Sequence, residues 1–170
     1  MSHPPLGHWL ARIIASWWHG DSVLPAWLGL TPDGFEALLA RHFPGLRLPE
    51  PPRLQRSPDP TRGMERDSLI ELFLMHATLE SPDDLWLARI LADGSMGDDH
   101  LWQDLGLWSR EDVSGLLRHG FAALANRNTR DMKWKKFFYK QLCEAEHLHL
   151  CQAPSCAICR DYDHCFGPET

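Results

Sequence analysis

The sequence has no stretch of useful length in which apolar and polar residues alternate, and that absence removes a half-buried β-sheet as the organising unit. Nor does it contain a long apolar run. The one candidate, Leu6 to Trp18, is interrupted by Arg12, is too short to cross a bilayer, and lacks both a basic start and a small-residue cleavage site. There is no glycine-rich nucleotide loop, no Ser-His-Asp order and no convincing general acid and base, so the chain is expected not to be an enzyme. Positive charge is in deficit. With 17 Lys and Arg against 23 Asp and Glu, the net charge of -6 argues against a general nucleic-acid or anionic-membrane binder, because either partner is repelled at long range. The expectation is a cytoplasmic protein whose thiols stay reduced.

What the chain does have is helical periodicity. At 170 residues, 44% of them hydrophobic, it is long enough for one core and too short for two ordinary domains. Trp9, Leu10, Ile13, Ile14, Trp17 and Trp18 recur at helical spacing from about Gly7 to His19, and Gly20 ends that run. Thr31-Pro32-Asp33 has the form of a helix start, with Phe35, Leu38 and Leu39 inward and His42 at the boundary. Six of the thirteen prolines fall between Pro44 and Gly63, which predicts an extended connector without helix. Helices resume with Leu69, Ile70, Leu72, Phe73 and His76, and again after Ser81-Pro82-Asp83-Asp84 with Leu85, Trp86, Ile90 and Leu91. Gly94 and Gly97 precede a short His100 to Leu105 segment. Ser109 to Asp112 then resembles a capping box, ahead of a helix with Val113, Leu116, Leu117, Phe121 and Leu124 inside. The predicted fold is all-α: an irregular bundle of six or so helices over residues 1–150, with a cysteine-rich metal-binding loop over 151–170.

That loop holds four of the five cysteines, Cys151, Cys156, Cys159 and Cys165, spaced C-x4-C-x2-C-x5-C with no apolar face of its own. Converging thiolates replace core burial as a source of order when they bind metal. Spacing ranks an iron-sulfur or related sulfide cluster first, since C-x4-C-x2-C matches plant-type clusters although the fourth cysteine follows too soon. Structural zinc comes second, and disulfides last. A loop at this place is expected to be loosely held, which suits a donor that must let go. Cys143 stands apart and reads as an ordinary thiol, while His147, His149 and His164 flank the run as secondary candidates. Asp98, Asp99, His100 and Asp104 form the one acidic and imidazole group elsewhere, best explained as helix-start acids.

Before the cysteines runs a basic segment with Arg127, Arg130, Lys133, Lys135, Lys136 and Lys140. At 100 degrees per residue Trp134, Phe137, Phe138, Leu142 and Ala145 share a stripe, and Lys133, Lys136, Lys140 and Cys143 gather opposite. The cationic side is a solvated face, an attractor for an oxyanion, or a dock for an acidic partner.

The run Asn128-Thr-Arg-Asp-Met-Lys-Trp-Lys-Lys-Phe-Phe-Tyr-Lys-Gln-Leu-Cys143, the four-cysteine spacing and Phe166-Gly167 together resemble the NifQ family of nitrogenase cofactor synthesis. His100-Leu-Trp-Gln-Asp-Leu-Gly-Leu107 is similar too, so the likeness spans about Asp98 to Gly167, with no clear match before it. The resemblance implies a molybdenum-iron-sulfur cluster on Cys151, Cys156, Cys159 and Cys165. Its implied source is molybdate, and its implied acceptors are the nitrogenase cofactor scaffold and iron protein of iron-molybdenum cofactor assembly. Thiolate and sulfide suit reduced molybdenum, whereas the metal arrives as a hard oxyanion. Two alternatives stay open from the residues themselves: a zinc-stabilised module docking through Lys133, Lys136 and Lys140, and a simple iron-sulfur electron carrier.

Overall fold

Eight α-helices and two single 3-10 turns make up a computed structural model that describes residues 5–49, 59–145 and 165–169, with no strand among them. The first helix, α1 (Leu6–His19), buries Trp9, Leu10, Ile13, Ile14 and Trp17 and leaves Trp18 half-buried. It ends because Gly20 adopts φ 80, a left-handed conformation that turns its N–H back to the carbonyls of Ser16 and Trp17. In α2 (Pro32–His42) the Thr31 hydroxyl accepts the Gly34 N–H at 3.0 Å, and Phe35, Leu38 and Leu39 face inward. Further on come α3 (Gly63–Met75), α4 (Asp83–Gly94), α5 (Leu101–Leu105), α6 (Arg110–Gly120), α7 (Ala122–Ala125) and α8 (Trp134–Ala145). The centre is α3 packed on α4, with α8 against α3, α2 and α5 against α4, and α6 against α1 and α5. Among the described residues no helix is long and apolar enough to cross a membrane.

Four local expectations need correction. The proline-rich span does not exclude helix to its end: Pro60–Arg62 forms a 3-10 turn, because Asp59 accepts the Thr61 N–H at 2.9 Å and Pro60 sits where a first-turn N–H would be idle. Residues 50–58 of that span lie outside the described ones. On α4 the inward face is Leu87, Ala88, Ile90 and Leu91, while Leu85 is exposed at the first turn. The run expected as one helix after Ser109 breaks at Phe121 (φ -140, ψ 50) into α6 and α7, although Val113, Leu116, Leu117, Phe121 and Leu124 are all buried. Its capping box is half made. Ser109 accepts the Asp112 N–H, but the Asp112 carboxylate takes the Trp108 N–H and Arg12 instead of closing the box.

One element gave no sequence signal. Trp27, Leu28 and Gly29 all have positive φ (59, 58 and 84), forming a left-handed turn inside Ala26–Gly29. Leu28 is fully buried and the Trp27 ring lies 5.6 Å from that of Phe35, contacts that offset the backbone strain. A Cβ at Gly29 would overlap the Asp93 carboxylate. That carboxylate is clamped by Arg66 at 2.7 and 2.9 Å, and Arg66 also donates to the Gly29 carbonyl at 3.2 Å.

Candidate functional site

The site is organised around the two ends of α8. Its apolar stripe is Trp134, Phe137 and Phe138: Phe138 meets Phe73 edge-on at 4.9 Å, and Trp134 donates its indole N–H to Ser114 at 3.1 Å. Two residues depart from the expected wheel. Ala145 is exposed in the last turn, and Cys143, placed opposite the stripe with the lysines, is buried. Gln141 is buried as well, and its side-chain oxygen accepts from Arg127 at 3.4 Å.

Before α8 the chain makes a tight turn. The Asn128 side chain accepts the Met132 N–H and donates to the Met132 carbonyl, both at 2.8 Å, while Asp131 takes φ 56. Arg110 braces the turn from α6, donating to the Asp131 carboxylate at 2.9 Å and to the carbonyls of Met132 and Asp131 at 3.0 and 3.3 Å. This turn receives Cys165. The Lys133 N–H donates to the Cys165 carbonyl at 2.5 Å, and the Arg130 guanidinium lies 5.2 Å from the Phe166 ring centre. Cys165 is half-buried against the core. The other three candidate ligands, Cys151, Cys156 and Cys159, lie outside the described residues, as do His147, His149 and His164. The loose tail expected from sequence is therefore corrected at its far end: Cys165–Glu169 is fastened to the helical body.

Beside that anchor opens a pocket of about 540 Å³ whose lining includes the first turn of α8 (Lys133, Trp134, Lys135, Lys136), with Arg62, Glu65, Tyr139, Asp98, Asp99, His100 and Glu169. Its charges are largely paired. Lys135 donates to the buried Asp104 carboxylate and, at 2.8 Å, to the Gly97 carbonyl; burial pushes the Asp104 carboxyl above its usual range in spite of the lysine. Arg62 grips Glu65 with two 2.8 Å hydrogen bonds and donates to the Met96 carbonyl at 2.7 Å, while the Tyr139 hydroxyl donates to Glu65. The Arg62 hydrogen bonds hold Glu65 below its usual range; burial and Glu65 push the Tyr139 phenol above its own, so it stays a neutral donor. Glu169, its side chain 7% exposed, lies 3.9 Å from His100 and 4.0 Å from Arg110.

Of the acidic and imidazole group, Asp104 is therefore an ion-pair partner, Asp98 and Asp99 are exposed on the rim, and His100 precedes α5, where its N–H donates to Gln103 at 3.1 Å. No group of three or more His, Cys, Asp or Glu able to hold a metal forms among the described residues. His42 pairs with Asp83 at 2.7 Å and His76 bonds the Leu72 carbonyl at 2.9 Å, so both are satisfied structural histidines. Sequence reading counted Lys135 only among the basic residues of its segment and gave no role to Arg62, Glu65, Tyr139, Arg110 or Glu169. Only Lys135 left a trace: at 100 degrees per residue it falls beside Leu142, on the edge of the apolar stripe.

The NifQ family model matches residues 9–167, so the likeness begins in α1 and not near Asp98 as the sequence alone indicated. Protein NifQ of Azotobacter vinelandii is 42% identical over 95% of this chain and 88% of its own length. Protein NifQ of Rhodobacter capsulatus is 41% identical over 96% and 89%, and that of Klebsiella pneumoniae 35% identical over 96% and 99%. No solved structure matches the chain. With the family model covering nearly the whole helical body and the Cys165 anchor, the chain belongs to the NifQ family.

Proposed function

We propose that this member of a family serving nitrogenase iron-molybdenum cofactor biosynthesis is a carrier: Cys151, Cys156, Cys159 and Cys165 hold a molybdenum-iron-sulfur cluster as cargo and pass it on. The observation that supports it most is the placement of Cys165, a half-buried residue whose backbone is fixed at the start of α8 beside a polar pocket, at the end of a run that carries four of the five cysteines. That donor set fits the cargo. Thiolates suit iron and reduced molybdenum, and four of them from one short stretch leave a position to exchange when the cargo departs. On this reading residues 1–150 are the support and 151–170 the carrying segment. The chain's own part is to bind and orient, not to catalyse turnover. The acceptors are the cofactor scaffold and iron protein of the assembly machinery, and the source is molybdate.

The test is replacement of each of the four cysteines by alanine in protein prepared without oxygen and supplied with ferrous salt, sulfide and molybdate. Each variant should lose bound metal relative to the parent while far-ultraviolet circular dichroism stays helical. A colourless parent with one zinc, and variants that lose helix, would instead select a structural zinc module. Reversible reduction with no metal passed to an acceptor would select an electron carrier.

A further inference from the structure

We infer that Cys165–Glu169 is a latch, with Glu169 the positioning residue that holds the fourth cysteine at its post, an inference that rests on the carrier reading for its purpose. Three contacts fasten this short segment: the Cys165 carbonyl on the Lys133 N–H at 2.5 Å, the Phe166 ring under Arg130 at 5.2 Å, and the Glu169 carboxylate between His100 at 3.9 Å and Arg110 at 4.0 Å. They are coupled through Arg110. The guanidinium that faces Glu169 also braces Asp131 and Met132, and so positions the Lys133 N–H that takes Cys165.

Glu169 makes no hydrogen bond among the described residues although its side chain is 7% exposed. A carboxylate this shielded from water, 3.9 Å from His100 Nδ1 and 4.0 Å from Arg110 Nε, is held by the charge of the Arg110 guanidinium, which is little screened at such burial. None of the three contacts uses the sulfur. The backbone of Cys165 is thus fixed in advance of metal, and this donor is pre-positioned before cargo binds. Release of cargo is then governed by this latch: opening it frees Cys165 from the helical body.

The test has a metal-free arm and a loaded arm. In the reduced, metal-free chain, Glu169→Ala and Glu169→Gln should raise the alkylation rate of Cys165 about tenfold, read by peptide mass spectrometry, and leave that of Cys151 unchanged; local opening sets such rates. Circular dichroism and the unfolding midpoint should stay at parent values, and Phe166→Ala should act in the same direction. In the loaded chain Glu169→Ala should speed loss of iron to a chelator about tenfold, the low end of what outer-shell partners contribute at metal sites. In a Cys165→Ser background it should add nothing. Parent-like alkylation of Cys165 in both Glu169 variants overturns the latch, and so does an undiminished effect in the Cys165→Ser background. If the parent binds no more metal than a four-serine variant while the alkylation result holds, the carrier reading falls and the latch stands.

Discussion

The helical body and the described end of the cysteine segment are held by different physics. In the body, order comes from removing Leu, Ile, Phe and Trp side chains from water, with Phe73, Phe121 and Phe138 fully buried at the centre. The cysteine segment has no apolar periodicity of its own, and of its described residues only Cys165 and Phe166 pack, partly buried, against that core. Its one described anchor, Cys165, is held by a backbone hydrogen bond, a cation over a ring and a buried carboxylate. The two regions meet at α8, whose stripe belongs to the body and whose first turn also lines the pocket, Trp134 serving both. The lesson is a one-way separability: a change to sulfur should alter what the protein carries and leave the body folded, whereas a change to the stripe should destabilise the body.

The largest effect on the body is expected from Phe138→Ala. This ring is fully buried, edge-on to Phe73 at 4.9 Å and stacked with Trp134 at 6.1 Å. Its removal should cost about 4 kcal/mol in urea unfolding of the metal-free chain, from lost transfer energy plus the cavity left behind. Replacing all four cysteines by alanine should shift the same unfolding curve little. A comparable loss of stability from the cysteine changes would break the comparison.

A second prediction concerns the ion pair where the two regions adjoin. Lys135→Met removes the cation facing Asp104, whose side chain is 2% exposed. The carboxylate stays buried with the Asp99 N–H, 3.1 Å away, as its remaining donor. Breaking a buried pair from one side should cost about 3 kcal/mol in the same unfolding measurement. Restoring near-parent stability with Asp104→Asn in the Lys135→Met background would show that the cost lies in the stranded charge, whereas a second, additive loss would contradict it.

How far the sequence reveals all this follows from how local each interaction is. The buried face of α1, its stop at Gly20, the Thr31 cap and the Ser109 start depend on neighbours a few residues away, and each was legible. The Asn128 to Trp134 run stood out as a resemblance; its physical content, a braced turn that receives Cys165, needed the structure. Lys135 and Asp104 are 31 residues apart, and Arg62 and Tyr139 are 77 apart. No periodicity links such pairs. The left-handed turn at Trp27–Gly29 was equally silent, because tryptophan and leucine at positive φ contradict propensity and are held there by packing against Phe35 and burial of Leu28. For the candidate site, spacing pointed to the sulfur donors, but the charged groups that hold Cys165 were not readable.

The smallest expected effect is a pH dependence at Glu65, which joins α3 to α8 through Arg62 and Tyr139 and lines the pocket. Hydrogen bonding by Arg62 lowers its folded-state pKa. A depressed carboxylate adds stability that is fully present above its unfolded value and is lost as pH falls through its folded one. At 30% exposure the pair should contribute under about 1 kcal/mol. Asp104 and Asp93 work with the opposite sign, since burial raises their folded values and makes acidification favourable to the body. The parent curve therefore mixes several carboxylates, and only the difference between parent and Glu65→Gln isolates the contribution of Glu65. That difference should be constant from neutral pH down to the usual glutamate range and shrink below it. If it is unchanged deep into acid, Glu65 holds α3 against α8 by shape and not by charge.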